Sequence, residues 1–184
     1  MACPMSAGET FKVLICGDYA VGKTTFVKTF LDEDKAFLEG YKPTIGVDIA
    51  RKTFTLDSTE ICFQIWDLSG QQSFKTIRPQ FYNRSDGVIL VFDITRRDSF
   101  TNLSSWLEEI LDQTGRIPIV VVGNKIDLVN KIEDIVPQQE AKEYVDHVSS
   151  LTGINAPYIQ ASAINRQYNF DPFITLGKLL IEKQ

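Results

Sequence analysis

Gly17-Asp18-Tyr19-Ala20-Val21-Gly22-Lys23-Thr24 decides how this chain is read. It follows an apolar run, Phe11–Cys16, that reads as a buried strand, and it opens Lys23–Leu31, which reads as a helix. The pattern is G-x-x-x-x-G-K-[ST]. Glycines let the backbone turn tightly, so that successive N–H groups converge on phosphate oxygens while the helix N-terminus adds partial positive charge. In such a loop the lysine reaches the outer phosphates and the hydroxyl after it ligates Mg²⁺, the roles that fall to Lys23 and Thr24. Asp18, Tyr19, Ala20, Val21, Gly22, Lys23, Thr24 and the adjacent Thr25 are the candidate phosphate-binding residues.

Outward from this loop, short apolar runs alternate with helical patterns. Asp86–Asp93, Ile117–Gly123 and Pro157–Ala161 read as further buried strands. Arg97–Asp112, Pro137–Ser150 and Phe170–Lys183 read as helices; in the first, Phe100, Leu103, Leu107 and Leu111 recur at helical spacing. Val47–Leu56 and Glu60–Trp66, separated by Asp57-Ser58-Thr59, read as a hairpin. Strand–helix alternation predicts an α/β fold: a mixed, mainly parallel six-stranded sheet with helices on both faces. Functional loops then lie beyond the carboxyl ends of the strands. Residues 1–10 read as a flexible leader and 11–184 as a single domain.

Composition narrows the function. The 184 residues are 43% hydrophobic and 23% charged, an ordinary globular balance, with a formal net charge of −5. An acidic domain is a poor holder of nucleic acid, so no nucleic-acid partner is expected. The apolar runs fall well short of the roughly 20 residues of a membrane-spanning helix, and no signal-peptide pattern opens the chain. Cys3, Cys16 and Cys62 have no metal-ligand spacing and make no disulfide framework, which points to a reducing, cytoplasmic compartment. His147 is the one histidine, is expected on a helix surface, and leaves no basis for a histidine-ligated metal.

After the strand Ile117–Gly123 stands Asn124-Lys125-Ile126-Asp127. A carboxylate at Asp127 accepts from both N1–H and N2–H of guanine, a donor pair that adenine lacks. Leaving such a buried acceptor unpaired costs about 1–3 kcal/mol, which favours guanine.

With these motifs in order, the chain resembles a small GTPase of the Ras superfamily from Phe11 to Glu182, a P-loop NTPase small G-domain. The resemblance rests on the phosphate loop, Pro43-Thr44, Trp66-Asp67-Leu68-Ser69-Gly70-Gln71, Asn124-Lys125-Ile126-Asp127 and Ala161-Ser162-Ala163. Within the superfamily it is most similar to Rab proteins, through Thr44-Ile45-Gly46-Val47-Asp48, Gln64-Ile65-Trp66-Asp67, Phe74-Lys75-Thr76-Ile77 and Phe81-Tyr82-Asn83-Arg84.

The resemblance implies roles. Thr24, Thr44 and Asp67 would hold Mg²⁺, Asp67 through water, and Thr44 and Gly70 would give backbone N–H groups to the γ-phosphate. Gln71 would orient the attacking water and Lys23 would stabilise charge on the transferring group. Phe37 would pack on guanine, Tyr41 would close over the phosphates, and Ser162 and Ala163 would complete the base site with Asn124, Lys125 and Asp127. Loss of the γ-phosphate would free both switch segments at once. Effectors, an exchange factor and an activating protein would then bind through residues 37–49 and 67–82 of a monomer. No arginine within these motifs is placed as a built-in finger, so slow turnover is expected; Arg51, Arg78 and Arg84 read as surface charges.

Several positions depart from the family pattern. Tyr19 stands where relatives carry glycine or a small polar residue; it either fills the space an arginine finger needs or points to solvent. Leu68, Ser69 and Gln72 replace the usual threonine, alanine and glutamate. Ile164 replaces the lysine that covers the base, and Ile49 a phenylalanine of the Rab effector surface. No cysteine follows Cys62 and Ala2 follows Met1, so neither prenylation nor N-myristoylation is expected of this sequence; peripheral membrane attachment would need a tail or a partner. Two other readings stay open: a scaffold that keeps its nucleotide and hardly hydrolyses it, and a P-loop kinase, against which Asp127 argues.

Overall fold

The computed structural model describes residues 8–31, 44–165 and 168–183. Among them the strands are β1 (Glu9–Cys16), β2 (Val47–Leu56), β3 (Thr59–Leu68), β4 (Gly87–Asp93), β5 (Ile119–Asn124) and β6 (Tyr158–Gln160). The helices are α1 (Lys23–Phe30), α2 (Pro79–Tyr82), α3 (Arg97–Thr101), α4 (Leu103–Thr114), α5 (Gln138–Thr152) and α6 (Asp171–Glu182). The sheet runs β2-β3-β1-β4-β5-β6, antiparallel between β2 and β3 and parallel elsewhere, as expected.

Period-two alternation divides each central strand between two cores. Val13 and Ile15 of β1, Ile89 and Val91 of β4, and Val120 and Val122 of β5 face one core with Phe26 and Phe30 of α1 and Phe173, Leu176 and Leu180 of α6. There Phe30 stacks on Phe173 with centroids 3.8 Å apart. Leu14, Leu90 and Val121, one residue out of step, face Tyr82 of α2, Trp106 and Ile110 of α4, and Val145 and Val148 of α5. Being covered on both faces, β4 and β5 are buried along their whole length, which is why they read as unbroken apolar runs.

Some boundaries differ from the sequence reading. β1 starts at Glu9 and pairs Glu9 and Thr10 with Ile61 and Cys62, so the strand begins two residues earlier than the apolar run suggests. The expected single helix Arg97–Asp112 is two, α3 and α4, meeting at Asn102. The hairpin turns through Asp57 and Ser58, with φ of 46° and 72°. Positive φ at both central residues matches the right-handed twist of the paired strands. The short α2 and the 3₁₀ turns Gln72–Phe74 and Ile126–Leu128 carry no periodic signal and were not foreseen.

The order 3-1-4 makes β1 the switch point of the sheet: its neighbours connect to opposite faces, and a crevice opens beyond its carboxyl end. The segments after β1, β3, β5 and β6 all emerge at that end.

Candidate functional site

The loop between β1 and α1 wraps the ammonium of Lys23. Its Nζ donates to the carbonyl oxygens of Gly17 and Asp18, each at 2.8 Å, and the side chain is buried. Loss of hydration pulls its pKa down to about 8, against the pull of the Asp67 carboxylate. Gly22 has φ 98°, and a Cβ there would lie 2.3 Å from Nδ2 of Asn124, so the second motif glycine is demanded by both backbone and space. Ala20 stands at φ 61°, a left-handed conformation that costs an L-residue roughly 1–2 kcal/mol.

Thr24, Thr44 and Asp67 meet beside the loop. The Thr24 hydroxyl donates to Oδ2 of Asp67 at 2.5 Å and lies 2.8 Å from Oγ1 of Thr44, which in turn donates to the same carboxylate oxygen at 3.4 Å. Asp67 is buried, and its other oxygen, Oδ1, has no hydrogen-bond partner among the described residues. Burial raises its pKa and Lys23 opposes that rise. Two hydroxyls and a buried carboxylate oxygen left unpaired among the described residues are hard donors of the kind that suits Mg²⁺. Among the described residues no cluster of three His, Cys, Asp or Glu side chains offers a rival metal site.

A cavity next to this cradle is lined by Tyr19, Ala20, Gly22, Lys23, Thr24, Thr25, Thr44, Ser69 and Gly70. Gly70 lies against the loop itself, where a Cβ would come within 2.3 Å of the Asp18 carbonyl carbon and the Tyr19 nitrogen. Ser69 is buried; its N–H donates to the Gly46 carbonyl at 2.9 Å, and its hydroxyl accepts from the Gln71 N–H at 3.4 Å. Ser69 thus joins the two switch segments and sits beside the water-orienting candidate.

On the other side of Gly22 opens a second cavity of about 290 Å³, lined by Ala20, Thr25, Asn124, Lys125, Asp127, Ala163 and Ile164. Asn124, fully enclosed, donates from Nδ2 to the Val21 carbonyl at 2.8 Å and accepts the Ala163 N–H on Oδ1 at 3.1 Å. One amide therefore ties the phosphate loop to the loop after β6. Ser162 donates to Oδ1 of Asp127 at 2.5 Å and fixes that carboxylate on the cavity wall. Lys125, left-handed at φ 71°, reaches Oδ2 of Asp93 at 2.6 Å. Ile164 is 61% exposed on the cavity rim, where it offers an apolar edge without charge.

Three arrangements escaped the sequence reading. The Asp18 carboxylate turns away from the phosphate cavity to α4, accepting from Nδ2 of Asn102 and Nε1 of Trp106, each at 2.8 Å. Asn102 and Trp106 are four residues apart, a spacing that places both donors on one helical face. Arg78, read as a surface charge, is buried: its guanidinium lies over the Trp106 ring and pairs with Glu109 at 3.2 Å, which also accepts the Tyr82 hydroxyl. Arg96, just after β4, donates from Nη2 to the Tyr19 carbonyl at 2.6 Å. Tyr19 itself is 41% exposed and borders the phosphate cavity. Arg51, Arg84 and His147 are exposed, as read. Phe37, Tyr41, Pro43, Cys3 and most of the first partner segment lie outside the described residues.

Comparison with known proteins places the chain in a family. Residues 12–182 match the family model described as Ras family. The chain is 36% identical over 177 residues to GTP-binding protein ypt1 of Schizosaccharomyces pombe, covering 94% of this chain and 81% of that protein. It is 38% identical over 170 residues to Ras-related protein Rab-1D of Dictyostelium discoideum, covering 91% and 78%. It is also 30% identical over 182 residues to EF-hand calcium-binding domain-containing protein 4B of Homo sapiens, covering 98% of this chain and 24% of that protein.

Proposed function

The chain belongs to the Ras family and is Rab-like within it, and from that membership we propose a guanine-nucleotide switch that binds GTP or GDP with Mg²⁺ and slowly hydrolyses GTP in membrane trafficking or signalling. The observation that carries the proposal is the pair of hydrogen bonds of Asn124, which ties the phosphate loop to the loop after β6 and so sets the base-side cavity beside the phosphate-side one.

Asp127, oriented by Ser162, accepts the guanine N1–H and N2–H, and the Ala163 side of the pocket receives the exocyclic oxygen. Lys23 and the N–H groups of the loop take the phosphate oxygens. Thr24, Thr44 and Asp67 would hold Mg²⁺, which when bound would neutralise charge on the outer phosphates. Gln71 orients a water in line with the γ-phosphorus. The water oxygen bonds to that phosphorus, the bond to the β–γ bridging oxygen breaks, and the protons of the water end on phosphate and solvent. Preorganised N–H groups and Lys23 stabilise the charge that develops. With the γ-phosphate gone, Thr44 and Gly70 lose a common ligand and the surfaces formed by residues 37–49 and 67–82 change together.

Effectors, an exchange factor and an activating protein are the partners this reading calls for. Exposed Ile45, Ile49 and Ile77 supply apolar contact area on those segments. No helix among the described residues is long and apolar enough to cross a membrane, so action at a membrane rests on a peripheral anchor or a partner.

The test is single-turnover phosphate release from protein loaded with GTP and Mg²⁺, with Gln71→Leu beside it and ATP as competitor. Slow release in the parent, loss of most of it in Gln71→Leu, and no displacement of guanine nucleotide by ATP are the expected results. Tight GTP retention with no release in either protein would replace the enzyme with a scaffold; displacement by ATP would revive the kinase.

A further inference from the structure

Beside the phosphate cavity runs an open groove of about 540 Å³ between the loop after β1, the start of the second switch segment and α3. Its lining includes Tyr19, Gly70, Gln71 and Arg96. The root of Arg96 is fixed: its carbonyl accepts the Ser99 N–H at 3.0 Å and the Ser99 hydroxyl at 2.7 Å, and Ser99 is completely buried. Its guanidinium crosses the groove to the Tyr19 carbonyl. That bond uses one of five N–H donors, and the fork stays within the groove that Gln71 borders. The Tyr19 and Gly70 backbones pass so closely that a Cβ on Gly70 would lie 2.3 Å from the Tyr19 nitrogen.

Resting on the hydrolytic reading above, we propose that Arg96 is a built-in arginine for GTP hydrolysis. With GTP in the site, its guanidinium reaches past Tyr19 to the γ-phosphoryl oxygens and stabilises the charge that forms as the β–γ bond breaks. A charge from within the chain serves where arginine is otherwise brought by a partner. No motif reading finds this residue, because it lies after β4, away from every signature segment.

The experiment is single-turnover phosphate release by the parent, Arg96→Ala and Arg96→Lys, with GDP dissociation measured on each. Arg96→Ala should be slower by about thirtyfold, the order by which G-domains with an arginine in cis exceed those without one. Arg96→Lys should fall between, since a point charge keeps the sign and loses the fork. Free guanidinium ion at millimolar concentration should restore part of the rate to Arg96→Ala and leave the parent unchanged. GDP dissociation should stay within about twofold, because the base and Mg²⁺ contacts are untouched. An Arg96→Ala rate within twofold of the parent overturns the proposal and leaves the GTPase reading standing. So does a slower rate without guanidinium rescue and with faster GDP loss, which would make Arg96 only a clamp on the loop. A parent that keeps GTP and releases no phosphate overturns both.

Discussion

The indole Nε1 of Trp106 donates to Oδ1 of Asp18 at 2.8 Å, and the Arg78 guanidinium lies 3.8 Å from the centroid of the ring containing that donor's side chain. A single side chain of α4 is therefore shared by the phosphate loop and the second switch segment. Trp106→Phe keeps an aromatic surface for Arg78 and removes the N–H. Asn102 still supports the carboxylate, so stability should fall by only about 1.5–2 kcal/mol, at the lower part of the range for bonds to charged groups. Urea denaturation with and without GDP checks this, and the loss should be matched by faster nucleotide dissociation because the loop is less firmly held.

Gly70 is required by space. A methyl there would lie 2.3 Å from the backbone of Asp18 and Tyr19, and backbone cannot yield as a flexible side chain would. Gly70→Ala should push the second switch segment off the phosphate loop and withdraw its N–H from the γ-phosphate. Loss of one preorganised donor is worth about 10²–10³ in rate. Single-turnover hydrolysis should drop by that order while GDP affinity changes little, since Gly70 borders the phosphate-side cavity and the groove beside it but not the base-side cavity.

Legibility in the sequence followed locality. The phosphate loop, Asn124 to Asp127 and Ala161 to Ala163 are contiguous strings whose geometry is set within a few residues, and the structure brings all three around Gly22. The buried strands were legible because burial on both faces removes polar residues from β4 and β5. What stayed hidden depends on sheet order. Arg96 meets Tyr19 across 77 residues, and Trp106 meets Asp18 across 88, only because β4 lies beside β1. Arg78 looked like a surface charge because nothing local says that Trp106 and Glu109 will cover it. Ala20 and Ser58 hold conformations that their residue types disfavour, so propensity could not place them.

Ser162→Ala tests how the base is chosen. Its hydroxyl donates to Oδ1 of Asp127, while its buried position holds the carboxylate against the cavity wall. Removing the hydroxyl leaves Asp127 to find its own orientation. The expected loss is about 1–1.5 kcal/mol, close to tenfold in affinity for GDP and GTP alike. Titration with both nucleotides checks it, and equal losses are required because the γ-phosphate lies in the other cavity.

Ile164 offers the opposite sign. It is 61% exposed on the rim of the base cavity and carries no charge toward the ligand. Ile164→Lys would lay an aliphatic stem along the same edge and set an ammonium by the π-face of the base. Such a contact at an exposed site is worth about 0.5–1 kcal/mol. GDP dissociation should slow by roughly two- to fivefold, the rate equivalent of that energy. Stability without nucleotide should be unchanged, since an exposed rim residue leaves the core packing as it was.

The hairpin turn supplies a control far from the site. Ser58 stands at φ 72°, following Asp57 at φ 46°, and only glycine enters that region without steric cost. Ser58→Gly removes the strain in the folded chain but adds freedom to the unfolded one, and the two effects oppose each other. The left-handed penalty of roughly 1–2 kcal/mol exceeds the added entropy of about 0.5–1 kcal/mol, so a net gain of about 0.5–1 kcal/mol is expected. A higher urea midpoint at constant slope would confirm it. Nucleotide affinity and hydrolysis should not move, because the turn closes β2 and β3 at the end opposite the phosphate loop.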